Sequence, residues 1–258
     1  RFGKGLLLLA VIGLVTTWLV LTPSGLLGKA DAIGYAVCHR IESRSFLIGE
    51  RATPLCARCS GMYLGMLVGL LYQARLGLRA QLPPLKITIP LSVFLITFGI
   101  DGLNSYLQFF PQAPALYQPS NWLRLATGTG LGILVAVIFL PVFHQAVWRQ
   151  PDDRPALASW RQVAGLLAVA AVTGLAIYSG NPLLGIPLAL LSTASILIIL
   201  TLCYGLFWVV AFKRENSFAG WRGAWVPLLG GFLTAMLQVA LIDLIRYTLT
   251  GTWAGFSL

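Results

Sequence analysis

PLALLSTASILIILTLCYGLFWVVAF, residues 187–212, holds no charged side chain over a length greater than the roughly 20 apolar residues that cross a bilayer core as a helix. Its apolar residues do not alternate with period two, which excludes a strand of an outer-membrane barrel with a polar face turned to a lumen. Six further predominantly apolar stretches, five of them with one or two charged residues, are candidate spans: 5–22, 59–76, 87–109, 121–142, 160–179 and 225–249. The first reads as a retained helix or an uncleaved signal anchor. Composition agrees, because 57% of the 258 residues are hydrophobic and 10% charged, against about a quarter charged in a soluble domain. The expected fold is all-α: a polytopic transmembrane helical bundle of about seven spans, one membrane domain over residues 1–258. Clusters of proline, glycine and asparagine at 83–84, 111–119, 151–155 and 180–182 mark turns.

The 18 basic residues can be sorted onto alternate sides of such a bundle, since short cytoplasmic loops are enriched in Lys and Arg. Eleven fall on the side of the N-terminus: Arg1, Lys4, Arg75, Arg79, Lys86, Arg149, Arg154, Arg161, Lys213, Arg214 and Arg222. Seven fall on the other: Lys29, Arg40, Arg44, Arg51, Arg58, Arg124 and Arg246. The N-terminus is therefore expected to be cytoplasmic, in a prokaryotic inner membrane. The same sorting puts Asp101, Asn104 and Gln108, Asn121 and Arg124, and Asp243 and Arg246 near one outward-facing level. Charges inside a membrane are costly and face a cavity or a partner, so these groups are expected to meet at one site.

The long loop 23–58 supplies most of the remaining polarity, and 26–37 within it could form a short interfacial helix. From Cys38 to Tyr63 the chain reads CHRIESRSFLIGERATPLCARCSGMY, with three of the four cysteines and one of the two histidines. Cys56-Ala57-Arg58-Cys59 sits where a helix begins, so both sulfurs share a face near the positive end of its dipole. With Cys38 and His39 upstream, this is the ligand set of a Cys3His zinc site. Adjacent residues seldom bind one ion, so one of Cys38 and His39 ligates while the other acts as a base or supports the site. An extracytoplasmic loop equally suits a disulfide or a redox dithiol; inert cysteines are the third alternative.

Elsewhere the readings are mainly structural. Asp101, Asn104 and Gln108 share a helix face, and Arg124 is the expected partner of Asp101, with Arg246 second. Asp243 and Arg246 are expected to form an intrahelical ion pair. Gly61, Gly65 and Gly69, and Gly128 and Gly132, have the spacing of close helix contacts. His144 reads as interfacial, Cys203 as a small hydrophobe, and Trp122, Trp148, Trp160 and Trp225 as interface anchors.

Cys38-His39-Arg40, Arg44-Ser45-Phe46 and Pro54-Leu55-Cys56-Ala57-Arg58-Cys59-Ser60-Gly61-Met62-Tyr63, followed by Gly65, form a long and specific string. With Asp101-Gly102 and Asn121-x-x-Arg124-x-x-Thr127-Gly128-x-x-x-Gly132, it resembles the signature of an uncharacterised family of prokaryotic membrane proteins, the domain of unknown function numbered 2085. The resemblance covers a core at 36–132 and leaves out the three helices across 160–249. Ser60 stands where threonine is more usual. What the resemblance implies is that these positions form one site; it brings no activity with it.

The leading expectation is a metal site, with zinc as cofactor, built from Cys38, His39, Cys56 and Cys59 and facing outward. Beside it, Arg40, Arg44, Arg58 and Arg124 would bind a phosphate or carboxylate on a lipid-like molecule. In the enzyme reading, hydrolysis or group transfer, the candidate catalytic residues are Asp101, Arg124 and His39. The alternatives are a CxxC thiol or quinone oxidoreductase and a non-catalytic accessory subunit of a larger membrane complex. Expected partners are accordingly the lipid bilayer, a lipid-like anion or quinone, and a membrane-complex partner, with no nucleic acid.

Overall fold

The computed structural model describes residues 2–110 and 114–256. In chain order its helices are α1 (Phe2–Leu21), α2 (Gly25–Val37), α3 (Ala57–Ala74), α4 (Leu85–Leu91), α5 (Val93–Leu107), α6 (Asn121–Val147), α7 (Trp160–Tyr178), α8 (Pro182–Ala211) and α9 (Trp225–Thr250). Four short strands accompany them: β1 (Ser45–Ile48), β2 (Arg51–Cys56), β3 (Arg79–Gln81) and β4 (Asp152–Pro155). The fold is an all-α polytopic bundle. Six helical stretches are long and apolar enough to cross a membrane: Gly3–Leu21, Leu85–Leu107, Asn121–Val147, Trp160–Tyr178, Pro182–Ala211 and Trp225–Thr250. The second of them is α4 and α5 together, interrupted near Pro90, whose missing N–H and ring disturb a helix interior.

Helix α3 corresponds to the remaining apolar stretch of the sequence and is not among these six. Its position explains its weaker hydropathy. It is wrapped by α6, α7 and α8, and a helix surrounded by protein need not match the apolarity of lipid. Its seam with α6 is made by glycines. A methyl at Gly61 would run into the Leu125 carbonyl, and one at Gly65 would lie 2.5 Å from the Thr129 oxygen. Reciprocally, methyls at Gly128 and Gly132 would overlap the carbonyls of Arg58 and Met62. Backbones can approach this closely only without side chains between them. Gly132→Ala is therefore expected to force α3 and α6 apart, at a cost of about 1–3 kcal/mol. Thermal unfolding in detergent checks this, and an unchanged midpoint would contradict the seam.

Helix α5 has its polarity inverted relative to a soluble helix. Its buried residues are Asp101, Asn104 and Ser105, while Leu95, Ile96, Ile100 and Leu103 face outward. Apolar residues on the outer surface suit lipid, and polar residues turned inward need partners inside the bundle.

Those partners gather at one end. Phe46 packs edge-on against Tyr178 at the end of α7, a methyl on Gly185 at the start of α8 would touch Ile48, and Asn121 Nδ2 donates to the carbonyls of Ser43 and Ser45. The starts of α3, α6 and α8 thus meet the ends of α5, α7 and α9 and the loop after α2. The rest of the long loop 23–58 contains a 3₁₀ turn (Glu42–Arg44) and the antiparallel β1–β2 hairpin. Ile48 pairs with Arg51 across Gly49-Glu50, and Gly49 has φ +64°. A positive φ at the first of two turn residues matches the type II′ hairpin turn, for which glycine is suited. The hairpin delivers Cys56 to the first turn of α3.

The opposite end is closed by the parallel β3–β4 pair and an aromatic cluster. Two sequence expectations are corrected here. Trp148 is 1% exposed and packs against Phe143 and Trp221, so it belongs to the core and not to an interface belt. His144 is also buried, with Nδ1 2.9 Å from the Arg79 carbonyl; it ties the end of α6 to β3. Trp122, Trp160 and Trp225 are exposed, as interface anchors should be.

Candidate metal centre and basic pocket

Three sulfurs meet where α2, β2 and α3 converge. Those of Cys38, Cys56 and Cys59 lie within 4.8 Å of one another, and all three are free thiols. Cys38 and Cys56 are set in an apolar core with Trp18, Leu55, Ile196, Met236 and Val239. Such surroundings exclude water and strengthen any charge interaction at the sulfurs.

The backbone around Cys38 is arranged to stabilise negative sulfur. Arg40 has φ +53°, a left-handed conformation costing roughly 1–2 kcal/mol for a residue with a side chain. That turn aims Arg40 N–H at Cys38 Sγ, 3.4 Å away, while Cys56 N–H donates from 3.3 Å. Hydrogen bonds from the Cys56 and Cys59 thiols, and then these two N–H groups, hold the Cys38 thiol well below its ordinary pKa despite burial. Cys56, giving its S–H to Cys38, is pushed up to about 12. Three free sulfurs lie together, with backbone N–H groups turned toward that of Cys38. This arrangement suits a soft metal, which would take all three as thiolates.

His39 is not part of this group of three. Its Nδ1 accepts the Ile41 N–H at 2.9 Å, so that nitrogen is occupied. Burial lowers its pKa; Cys38 opposes this, and the charges of Arg44, Arg58 and Arg124 add to it.

Asp101 is the acidic centre beside the sulfurs, fully buried at 0% exposure. Its Oδ2 accepts from Arg58 Nη2, from Arg58 Nε at 3.1 Å and from Thr127 Oγ1 at 3.4 Å, and its Oδ1 accepts from Tyr117 Oη at 2.9 Å. The expected partner, Arg124, is thus replaced by Arg58. The reason is geometric: Arg58 projects from the first turn of α3 against α5, and Arg58 Nη2 also reaches the Asp101 carbonyl at 3.0 Å and Ser105 Oγ at 2.8 Å. Since Arg58 lies between Cys56 and Cys59, Asp101 steadies the turn that carries both sulfurs. Asn104, on the same face, holds the following loop through Leu116 N–H and the Tyr117 carbonyl.

Arg124 is left with little. It is 6% exposed, Nη1 donates to Asn121 Oδ1 at 2.9 Å, and Nε has no partner among the described residues. Its charged neighbours include Arg44, Arg58 and Asp101. Arg44 donates to the Ser105 carbonyl at 3.3 Å and stacks on Phe109 with 4.2 Å between guanidinium carbon and ring centre. Burial and the nearby Arg58 charge lower its pKa. Three guanidiniums therefore face one carboxylate. Arg40, grouped with them from sequence, points elsewhere: it bridges Asp31 at 2.8 Å and donates to the Trp253 carbonyl at 3.1 Å. Asp31 also pairs with Arg51 and was missed by sequence reasoning, although a lone acid in a small-residue helix beside an arginine-rich loop was the available signal.

Helix α9 reaches the site through Arg246, and not through the expected pair with Asp243. Asp243 Oδ2 accepts from Trp18 Nε1 at 2.9 Å. Arg246 turns toward the end of α2 and donates to the carbonyls of Tyr35, of Cys38 at 2.7 Å and of His39 at 3.4 Å. They are the carbonyls of the last turn of α2, of its cap and of the residue that follows. The tail closes over them, with Phe256 N–H donating to the His39 carbonyl at 3.0 Å. Arg246→Gln is expected to cost about 1–3 kcal/mol and to speed amide hydrogen exchange across residues 35–41. Unchanged exchange there would show that α9 does not hold the cysteine loop.

Comparison with known proteins gives the following. The family model described as "Predicted membrane protein (DUF2085)" matches residues 38–138. The chain is 30% identical over 121 residues to the uncharacterized protein MJ1492 of Methanocaldococcus jannaschii, covering 46% of this chain and 71% of that protein. It is 31% identical over 108 residues to an uncharacterized protein of Methanothermobacter thermautotrophicus, covering 42% of this chain and 88% of that one. No solved structure matches.

Proposed function

This chain belongs to the DUF2085 family of predicted membrane proteins, and on that premise we propose that it holds a metal ion at Cys38, Cys56 and Cys59 beside an anion pocket of Arg44, Arg58 and Arg124. Zinc is the metal that a compact thiolate set selects where no redox change is needed. The ligand is the phosphate or carboxylate of a lipid-like molecule. The observation that carries this reading is the buried Arg124, short of partners, within a group of three guanidiniums balanced by one carboxylate. A buried guanidinium short of partners, beside two partly exposed ones, calls for an anion, and guanidinium forks match both oxyanions.

Three thiolates leave one position of a tetrahedral zinc site free, and there a bound ion would supply Lewis acidity. The protein's own residues set the surroundings. Asp101 orients Arg58, Arg124 neutralises the ligand, and His39, with Nδ1 accepting a backbone N–H, carries its neutral-form proton on Nε2 and acts as a donor. The distribution of eleven basic residues against seven supports a cytoplasmic N-terminus and hence an outward-facing site.

A second reading, a thiol or quinone oxidoreductase, is favoured by three free cysteines lying together, with two backbone N–H groups donating to the Cys38 sulfur. Titration of the metal-loaded protein with inorganic phosphate and with a short-chain alkyl phosphate distinguishes them. The anion reading expects saturable binding that Arg124→Gln weakens about tenfold or more. No binding, with a mixed disulfide trapped at Cys56 or Cys59 after replacement of Cys38, would favour the oxidoreductase.

A further inference from the structure

At the end of the bundle opposite the cysteines, α1, α8 and α9 enclose a groove of about 620 Å³. Its floor and walls are apolar and aromatic, with Leu7, Trp208, Phe212, Val226 and Leu233 among them. The hydroxyl that enters it is already engaged: Thr234 Oγ1 accepts from Trp208 Nε1 at 3.0 Å and donates to the Gly230 carbonyl at 2.9 Å. Two cations sit at its mouth. Lys4 lies over the Trp225 ring, 5.5 Å from its centre, and Arg214 lines the same end. Neither has a carboxylate partner among the described residues.

The structure assigns this groove to one acyl chain of an anionic phospholipid, with the headgroup phosphate at Lys4 and Arg214. Two observations choose that occupant. The lining along α9 extends from Trp225 to Leu237, a rise of about 18 Å, close to half the roughly 30 Å hydrocarbon thickness. The groove is therefore one leaflet deep, with its charge at the interfacial end. The charge also matches: cations beside an apolar slot attract acidic headgroups and have no such attraction for zwitterionic ones. This site shares no residue with the metal centre or the basic pocket, so it stands or falls separately from the proposed function.

The test uses the full chain reconstituted in nanodiscs of mixed phosphatidylglycerol and phosphatidylcholine, transferred to detergent and weighed by native mass spectrometry. The wild-type protein is expected to retain one phosphatidylglycerol. The pair Lys4→Gln with Arg214→Gln should lower that retention about tenfold while leaving the unfolding midpoint in place. Leu7→Trp, at the half-buried position through which α1 lines the groove, should fill the slot and abolish retention of either lipid. Equal retention of both lipids by the wild type, undiminished phosphatidylglycerol in Leu7→Trp, or a second copy of the chain cross-linked across the groove would each overturn the assignment.

Discussion

Asp101→Ala is expected to lower the unfolding free energy by about 3–5 kcal/mol, the usual cost of leaving one member of a buried ion pair without the other. The side chain is inaccessible to solvent and accepts from Arg58, Tyr117 and Thr127. Without it, Arg58 keeps its hydrogen bonds to the Asp101 carbonyl and Ser105 Oγ, but its charge has no counterpart. Removing both charges is a different experiment. The double variant Asp101→Leu with Arg58→Met should recover most of the loss, because no orphaned ion remains. A double-mutant cycle by denaturant unfolding in detergent isolates the coupling. Asp101→Ala within about 1 kcal/mol of the wild type would mean that Asp101 is not the counterion of the arginine group.

Cys56→Ser should reduce zinc affinity about 100- to 1,000-fold. Structural zinc sites release roughly 10–16 kcal/mol over four ligands, or about 3 kcal/mol for each, and loss of one thiolate removes that share. Cys203→Ser is the internal control. Its sulfur lies exposed on α8, outside the group of three, and its loss should leave affinity unchanged. Competition against a chromophoric chelator measures both variants; equal affinities for the two would remove Cys56 from the site.

The membrane class was legible in the sequence because it is written in local composition. An uninterrupted apolar run declares a span, and the C-x-x-C spacing puts Cys56 and Cys59 together at a helix start. The glycines at 61, 65, 128 and 132 were legible for the same reason, since spacing along one helix is enough to mark a close-packing face. Pairings between elements were not. Asp243 and Arg246 lie one turn apart, and sequence alone favours joining them, yet Trp18 from α1 takes the carboxylate and the carbonyls at the end of α2 take the guanidinium. Likewise Asp101 could have met any of several arginines, and the Arg58 side chain is the one that reaches from the start of α3 to Asp101 and Ser105 on α5. The hairpin escaped notice because cysteines and arginines dominate that loop, although Gly49 between β-prone runs was its signal. Trp148 and His144 looked interfacial because span ends usually are; β3 covers His144, while Phe143, Trp221 and the segment at Phe218 enclose Trp148.

Metal content and thiol titration on the same intact protein sample test the central assignment most directly. One zinc ion per chain is expected, with Cys38, Cys56 and Cys59 shielded from a thiol reagent before chelation and reactive after it. A metal-free protein with a disulfide among those three cysteines would contradict the metal centre.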